Sequence, residues 1–328
     1  MTRAGTVRIG ISGWTYPPWR GVFYPKGLTQ KRELEYATSQ FSSLEINGTF
    51  YGMQKPDAFG DWADRTPDDF VFSVKAPRFI THIRRLRDAE RPLANFIASG
   101  LLRLGPKLGP ILWQFPPFFR FDMERIEAFL KLLPHDTAAA ARYGQRHDDW
   151  MKGRAWLEVA TERKLRHAFE IRNESFRTEA FVDLLRKYDV ALVCADTVEW
   201  PRLMDLTSDF VYCRLHGSEQ LYASGYTDEA LDRWAARVVV WANGDEPEDA
   251  ERVGGEGRKH PRDVFVYFDN DTKVRAPFDA KALTERVEKL LAPTRSRSST
   301  SPDRAARTSG SSPSRSSAAR GTRNSLAP

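Results

Sequence analysis

SLEIN (43–47), AFEIR (168–172) and VYCRLH (211–216) share one pattern. Each alternates apolar residues with polar or ionisable ones: Leu44 and Ile46 against Glu45 and Asn47, Phe169 and Ile171 against Glu170 and Arg172, Val211, Cys213 and Leu215 against Tyr212, Arg214 and His216. Successive side chains on a strand point to opposite faces. Each stretch therefore reads as a strand with one apolar face and one charged face, the charge lying near its C-terminal end. Burying unpaired charge is costly. Ionisable groups that converge from several strands are the physical profile of a site.

Outward from these three, eight strands are predicted: Val7–Ser12, Ser43–Asn47, Val71–Lys75, Ile111–Gln114, Ala168–Arg172, Ala191–Asp196, Phe210–His216 and Val264–Asp269. Segments of helical period lie between them. Their stripes include Ile126, Phe129, Leu130 and Leu133; Phe181, Leu184, Leu185 and Tyr188; Leu231, Trp234, Ala235, Val238 and Trp241, after a Thr227-Asp228 start signal; and Leu283, Val287, Leu290 and Leu291. Strands alternating with helices argue for a parallel sheet. Eight such units predict an α/β fold, a closed TIM (β/α)8 barrel spanning residues 1–292. No dinucleotide-binding glycine pattern follows the first strand, which disfavours an open doubly wound sheet. Two connections are long: 134–165, read as carrying extra helix, and 243–263, read as a surface excursion.

The net charge of +6 is unevenly placed. Residues 293–328 hold seven arginines and one acid, Asp303, so the first 292 positions are net neutral. That last segment also has eleven serines and no aromatic residue, and is expected to be a disordered C-terminal tail. The tail gives nucleic acid a route of attraction, whereas a neutral barrel argues against a phosphate-backbone footprint. No apolar run is long enough to span a bilayer and no secretory signal opens the sequence, so no membrane partner is expected. The only cysteines, Cys194 and Cys213, are placed by alternation on opposite faces of neighbouring strands, where they should not pair. A cytoplasmic, reducing setting is expected.

Eight motifs, ISGWTYPPWRGVFYP (11–25), SSLEINGTFY (42–51), FSVKAPRFITH (72–82), LWQFPPFFRFD (112–122), HAFEIRNESF (167–176), CADT (194–197), YCRLHG (212–217) and VFVYFDND (264–271), taken together resemble the YecE-like family, known as domain of unknown function 72. The resemblance runs in order from residue 7 to about 291. It implies a TIM barrel and leaves the function open. It places the family's pattern on Gly13, Trp14, Glu45, Asn47, Phe50, Tyr51, Lys75, His82, Gln114, Glu170, Arg172, Asp196, Arg214 and His216. Where the family commonly carries a histidine followed two residues later by Ser-Trp, this chain has Asn173, Ser175 and Phe176.

In such barrels the site lies at the C-terminal ends of the strands. Glu45 and Glu170 are the expected acid–base pair, one with a raised pKa, and His216 joins them as a catalytic candidate. Lys75, Arg172 and Arg214 are expected to bind an anion, and the His216-Gly217-Ser218 turn to lie nearby. Asn47 and Gln114 would orient the ligand, Asp196 and Asp269 would contact it, and Trp14 and Tyr51 would stack on it, with Tyr16, Trp19, Phe50 and Phe115 in the same loops. The substrate class that suits this set is a small anionic ring compound, a sugar phosphate or nucleotide. If Glu170 serves chemistry rather than structure, Glu170→Gln should be neutral or stabilising.

Three other readings stay open. A satisfied ion-pair network could serve stability alone in a non-catalytic ligand-binding barrel. A divalent metal could sit on Glu45, Glu170, Asp196, His216 and Asp269, although the three nearby cations oppose it and no cofactor is favoured. A metal-dependent, endonuclease-like barrel could bind nucleic acid, aided by the tail.

Overall fold

The computed structural model describes residues 3–217, 221, 224–271 and 273–292. Its strands, all parallel to their neighbours, close into a barrel: β1 (Val7–Ser12), β2 (Ser43–Ile46), β3 (Val71–Lys75), β4 (Leu108–Gln114), β5 (His167–Glu170), β6 (Ala191–Asp196), β7 (Phe210–Leu215) and β8 (Asp263–Phe268), with β8 returning to β1. The α-helices among the described residues are α1 (Glu33–Thr38), α2 (Gly48–Tyr51), α3 (Pro56–Asp64), α4 (Glu90–Ala98), α5 (Met123–Leu130), α6 (Thr137–Gly144), α7 (Glu179–Lys187), α8 (Asp228–Asn243) and α9 (Ala276–Leu291). This is the TIM barrel expected from the alternation of strand and helix periods.

The helical stripes form the outer core. Leu231, Trp234, Ala235, Val238 and Trp241 of α8 are all buried, and Thr227 caps that helix by accepting the Ala230 backbone N–H. Complete burial of a large apolar side chain is worth roughly 1.5–3 kcal/mol, so such a stripe fixes the helix to the sheet. On α9, Leu283 and Val287 are buried, but Leu290 and Leu291 are exposed as the helix runs past the strands. The connection 134–165 carries α6 and a 3₁₀ turn at Asp149–Met151, while 243–263 leaves α8 without forming another helix. The Ser/Arg-rich tail, 293–328, and Ser218 lie outside the described residues.

The barrel interior is graded. Its lower part is apolar, with Leu112, Ala168, Ala191, Val193, Phe210 and Phe265. A hydroxyl layer follows, in which Tyr267 lies 2.6 Å from Ser43 and Tyr212 lies 2.6 Å from Ser73. Above it the same strand faces carry Glu45, Lys75, Gln114, Glu170 and Arg214. Asn47, Arg172, His216 and Asp269, predicted as the last strand residues, instead lie just beyond the sheet, where the chain turns over the mouth. Gly13 makes one such turn. Its φ of +81° suits glycine, and an added Cβ there would come within 2.8 Å of the Tyr16 hydroxyl.

The cysteine placement needs correction. Cys194 and Cys213 are register partners on β6 and β7 and share the outward face, with both thiols free and buried. They are hydrogen-bond neighbours, and burial pushes the Cys213 thiol well up. Both faces of β6 are mainly apolar, Ala191, Val193 and Ala195 on one and Leu192 and Cys194 on the other, so ALVCAD carries no alternation from which its parity could be read.

Candidate active site at the barrel mouth

Arg214 stands at the centre of the mouth with no solvent exposure. β7 aims it inward, one step above Tyr212. Its Nε and Nη2 donate to the two oxygens of Glu45 at 3.1 and 2.9 Å, its Nη1 to Glu170 at 2.7 Å and its Nη2 to Asp269 at 2.8 Å. The fork geometry of guanidinium allows this triple engagement. Glu45 also accepts the Tyr212 hydroxyl at 2.6 Å. Glu170 accepts from Gln114 at 3.0 Å and from Arg172 Nε at 2.8 Å. His216 places its Nδ1 3.2 Å from Asp269.

These contacts change three of the sequence expectations. Arg214 is a clamp for carboxylates, and its donors are already engaged rather than turned to a ligand's anion. Glu170 does not carry the raised pKa expected of one member of the pair: although burial opposes its charge, Arg214, Arg172, His216 and Lys75 hold it well below the usual carboxylate range. Asp269 is likewise held down, chiefly by Arg214 against the cost of burial. The basis for a neutral Glu170→Gln also goes, since both oxygens of Glu170 are engaged by fixed donors. Burial keeps His216 below its ordinary value.

Lys75 differs from every other cation here. It ends β3 on the interior face and is only 7% exposed. Its ammonium rests 4.3 Å above the Phe50 ring. Among the described residues its Nζ has no hydrogen bond and no carboxylate within 4.0 Å, although Asp269, Glu45 and Glu170 act on it from further away. Burial and the Arg214 charge bring its pKa down to about 8.

Gln114 orients Glu170, as its register beside that residue on β4 and β5 dictates. Asn47 lies near the Tyr16 hydroxyl, which donates to the Ser12 carbonyl at 2.6 Å, and the Asn47 Oδ1 is buried with no partner among the described residues. Tyr51 is 74% exposed on the rim. Two expected contacts are not at the mouth. Asp196 points outward to the helical layer, accepting from Trp234 Nε1 at 3.2 Å and from Arg202 at 3.2 Å, the same parity error that misplaced Cys194. Trp14 packs edge-on against Trp62 of α3 and near Phe72, so it belongs to the outer core. Trp19 and Phe115 are fully buried. Asn173 caps the 3₁₀ turn Glu174–Phe176, and Phe176 fills an aromatic cluster with Phe115, Phe121 and Phe181.

The sequence reading missed two groups. Asp271, just after β8, is half-buried, and burial with the nearby Asp269 charge lifts it to about 6. Trp200, in the loop after β6, carries the Arg172 guanidinium at 4.1 Å on its face and meets His216 edge-on at 5.5 Å. His82, in the π-turn Phe79–Ile83 after β3, is held near 4 by burial and by Lys75, Arg172 and Arg78. Among the described residues no group of three or more His, Cys, Asp or Glu is arranged to hold a metal, and the Arg214 guanidinium occupies the place among Glu45, Glu170 and Asp269 that a cation would take. No helix among the described residues is long and apolar enough to cross a membrane.

Known proteins share this chain's sequence and fold. UPF0759 protein YunF of Bacillus subtilis strain 168 is 29% identical over 292 residues, covering 86% of this chain and 95% of that protein. UPF0759 protein YecE of Escherichia coli strain K12 is 31% identical over 129 residues, 39% of this chain, and this match spans under half of that relative, 44% of its length. A crystal structure of a DUF72 family protein from Thermotoga maritima MSB8 superposes with a TM-score of 0.64 at 23% identity, covering 86% of this chain and 99% of that one. A DUF72 family protein from Enterococcus faecalis V583 does so with a TM-score of 0.59 at 16% identity, covering 86% and 96%. These two likenesses speak to the fold. The profile of the family described as "Protein of unknown function DUF72" matches residues 8–304, a span that takes in all but the first residue of the eight-stranded barrel, and the chain therefore belongs to that family.

Proposed function

We propose that the protein is an enzyme that applies acid–base chemistry to a small anionic, ring-containing substrate at the barrel mouth. The observation that carries this reading is Lys75. A network built for stability alone would match its buried cations, as it matches Arg214, because an unpaired buried charge is expensive. Lys75 lies over the same network with no carboxylate within 4.0 Å among the described residues, so that Asp269, Glu45 and Glu170 act on it only from a distance. Lys75 and Arg172 would meet the charged or polarised end of the substrate. Glu45, Glu170 and Asp269 would supply fixed negative charge beneath it. Asp271, with its lifted pKa of about 6, suits proton exchange near neutral pH better than the clamped Glu170 does. Tyr51 would border the ring.

The test is a thermal-shift and turnover screen with sugar phosphates, nucleotides and small carboxylates, together with mass spectrometry of any co-purified ligand. A stabilising ligand whose effect is lost in Lys75→Met supports the reading. A ligand that binds at the mouth and is never turned over would place the protein among non-catalytic binding barrels.

One observation favours a second reading, nucleic-acid binding. A groove of about 650 Å³ beside the mouth is lined by Phe50, Tyr51, Phe79, Ile83 and Trp150 together with Arg78. Exposed aromatic faces such as Tyr51, Phe79 and Trp150 beside a single arginine, Arg78, suit stacked bases, although Asp148 also lines the groove. Anisotropy of a short single-stranded oligonucleotide with the full chain, as a function of salt, separates the two readings: tight binding lost in Trp150→Ala and Tyr51→Ala would favour the second.

A further inference from the structure

Among the buried ionisable groups of the barrel, Lys75 is the one whose surroundings ask for a reaction rather than a partner. An ammonium carries three donors, and among the described residues none of the three is matched. The cation that acts on it, Arg214, stays charged whatever the pH, as does Arg172, and both are bound to Glu170. The aromatic face of Phe50 covers one side. A lysine desolvated beside other cations is the situation in which the neutral amine is favoured and the side chain becomes a nucleophile. We propose that Lys75 is such a nucleophile and forms an imine with the carbonyl group of a small anionic aldehyde or ketone. The inference rests on the reading of the mouth as an active site, and names the substrate class for it.

The chemistry balances without any oxidant or reductant. The ammonium first gives a proton to solvent. The amine lone pair then attacks the carbonyl carbon, a C–N bond forms, and the C=O electron pair moves to oxygen, which takes up a proton. Loss of that hydroxyl as water, with departure of the second N–H proton, leaves the C=N bond. Amine and carbonyl give imine and water. Arg172, 11% exposed at its side chain, is a permanent cation able to face the substrate's anionic group. Glu170 and Asp269, held ionised below, favour the positive charge of a protonated imine. The pKa of about 8 leaves roughly one Lys75 in ten as free amine at pH 7 and about half at pH 8, against well under one in a hundred for an exposed lysine at pH 7.

The experiment has two parts, both on the full chain. In the first, limiting formaldehyde with cyanoborohydride is applied at pH 7.5 and methylated lysines are mapped by peptide mass spectrometry. Lys75 is expected to react first, at least tenfold ahead of the surface lysines. In the second, pyruvate or glyceraldehyde 3-phosphate is trapped with borohydride. One adduct per chain at Lys75, absent in Lys75→Arg, is expected. Adducts spread over surface lysines with Lys75 unmodified by every probe, while an anionic ligand still gives a thermal shift that Lys75→Met abolishes, would overturn the imine and leave the anion-binding mouth standing. Absence of both the adduct and the thermal shift would overturn both. Circular dichroism of the Lys75 variants confirms that each comparison is between folded proteins.

Discussion

The centre of the barrel mouth and its β3 edge treat a buried cation in opposite ways. At the centre, Arg214 is surrounded by three carboxylates, and Tyr212 and Gln114 complete their hydrogen bonds. At the edge, Lys75 is nearly as deeply buried and has an aromatic ring for company. The first arrangement resists change and the second invites it. A saturated network fixes geometry, and under our proposal the group above it supplies reactivity. Substitutions at the two places should therefore move stability in opposite directions.

Arg214→Leu should show the largest effect. It leaves three buried carboxylates facing one another, and a loss of at least about 3–5 kcal/mol is expected. Chemical denaturation measures it, and failure to fold is the extreme form of the same result. Glu170→Gln should follow, with a loss of about 2–3 kcal/mol, because Arg214 and Arg172 lose a shared anion. No loss in this variant would return Glu170 to a strained catalytic role and blur the contrast. Acid should probe the same residue. A carboxylate whose folded pKa is depressed adds stability that is complete above its unfolded value, about 4.3, and is lost as pH falls towards the folded value. Wild type should therefore weaken on acidification below pH 4 to 5, and the Gln variant should lack that part of the slope.

Lys75→Met should change sign and stabilise the fold by up to about 3 kcal/mol at pH 7, since burial and the Arg214 charge bring Lys75 down to about 8. A lysine with a depressed folded pKa costs stability while protonated, and that cost is relieved as pH rises from about 8 towards the unfolded value near 10.4. The gain in the variant should thus be greatest below pH 8 and gone above about pH 10.5. A destabilised Lys75→Met would mean that the edge is as structural as the centre. Tyr51→Ala, at an exposed rim position, should shift stability by no more than about 0.5 kcal/mol in either direction.

The residues that could be read from sequence were those on strands with one apolar and one polar face. Alternation alone placed Glu45, Glu170 and Arg214 on one side, and the barrel brings them together. It failed on β6, where ALVCAD is apolar on both faces, so Asp196 and Cys194 gave no parity. It was silent in the loops, so Trp200 under Arg172 and Asp271 beside Asp269 had no periodic signal to reveal them. β4 begins three residues before its predicted start because Gly109 and Pro110 look like a turn, yet both lie within the strand. Pairing was the other blind spot. The charges were visible, but only the structure shows that Arg214 takes all three carboxylates, and that among the described residues none lies within 4.0 Å of the Lys75 ammonium.

The layer of Tyr212, Tyr267, Ser43 and Ser73 beneath the charges closes the barrel like the base of a cup. Among the described residues, water and protons then reach the charged layer from the mouth side. A molecule seated at the rim becomes its own stopper, and the buried acids and Lys75 beneath it exchange protons only with what entered alongside. Side-chain proton exchange at the charged layer should consequently slow when the mouth is filled.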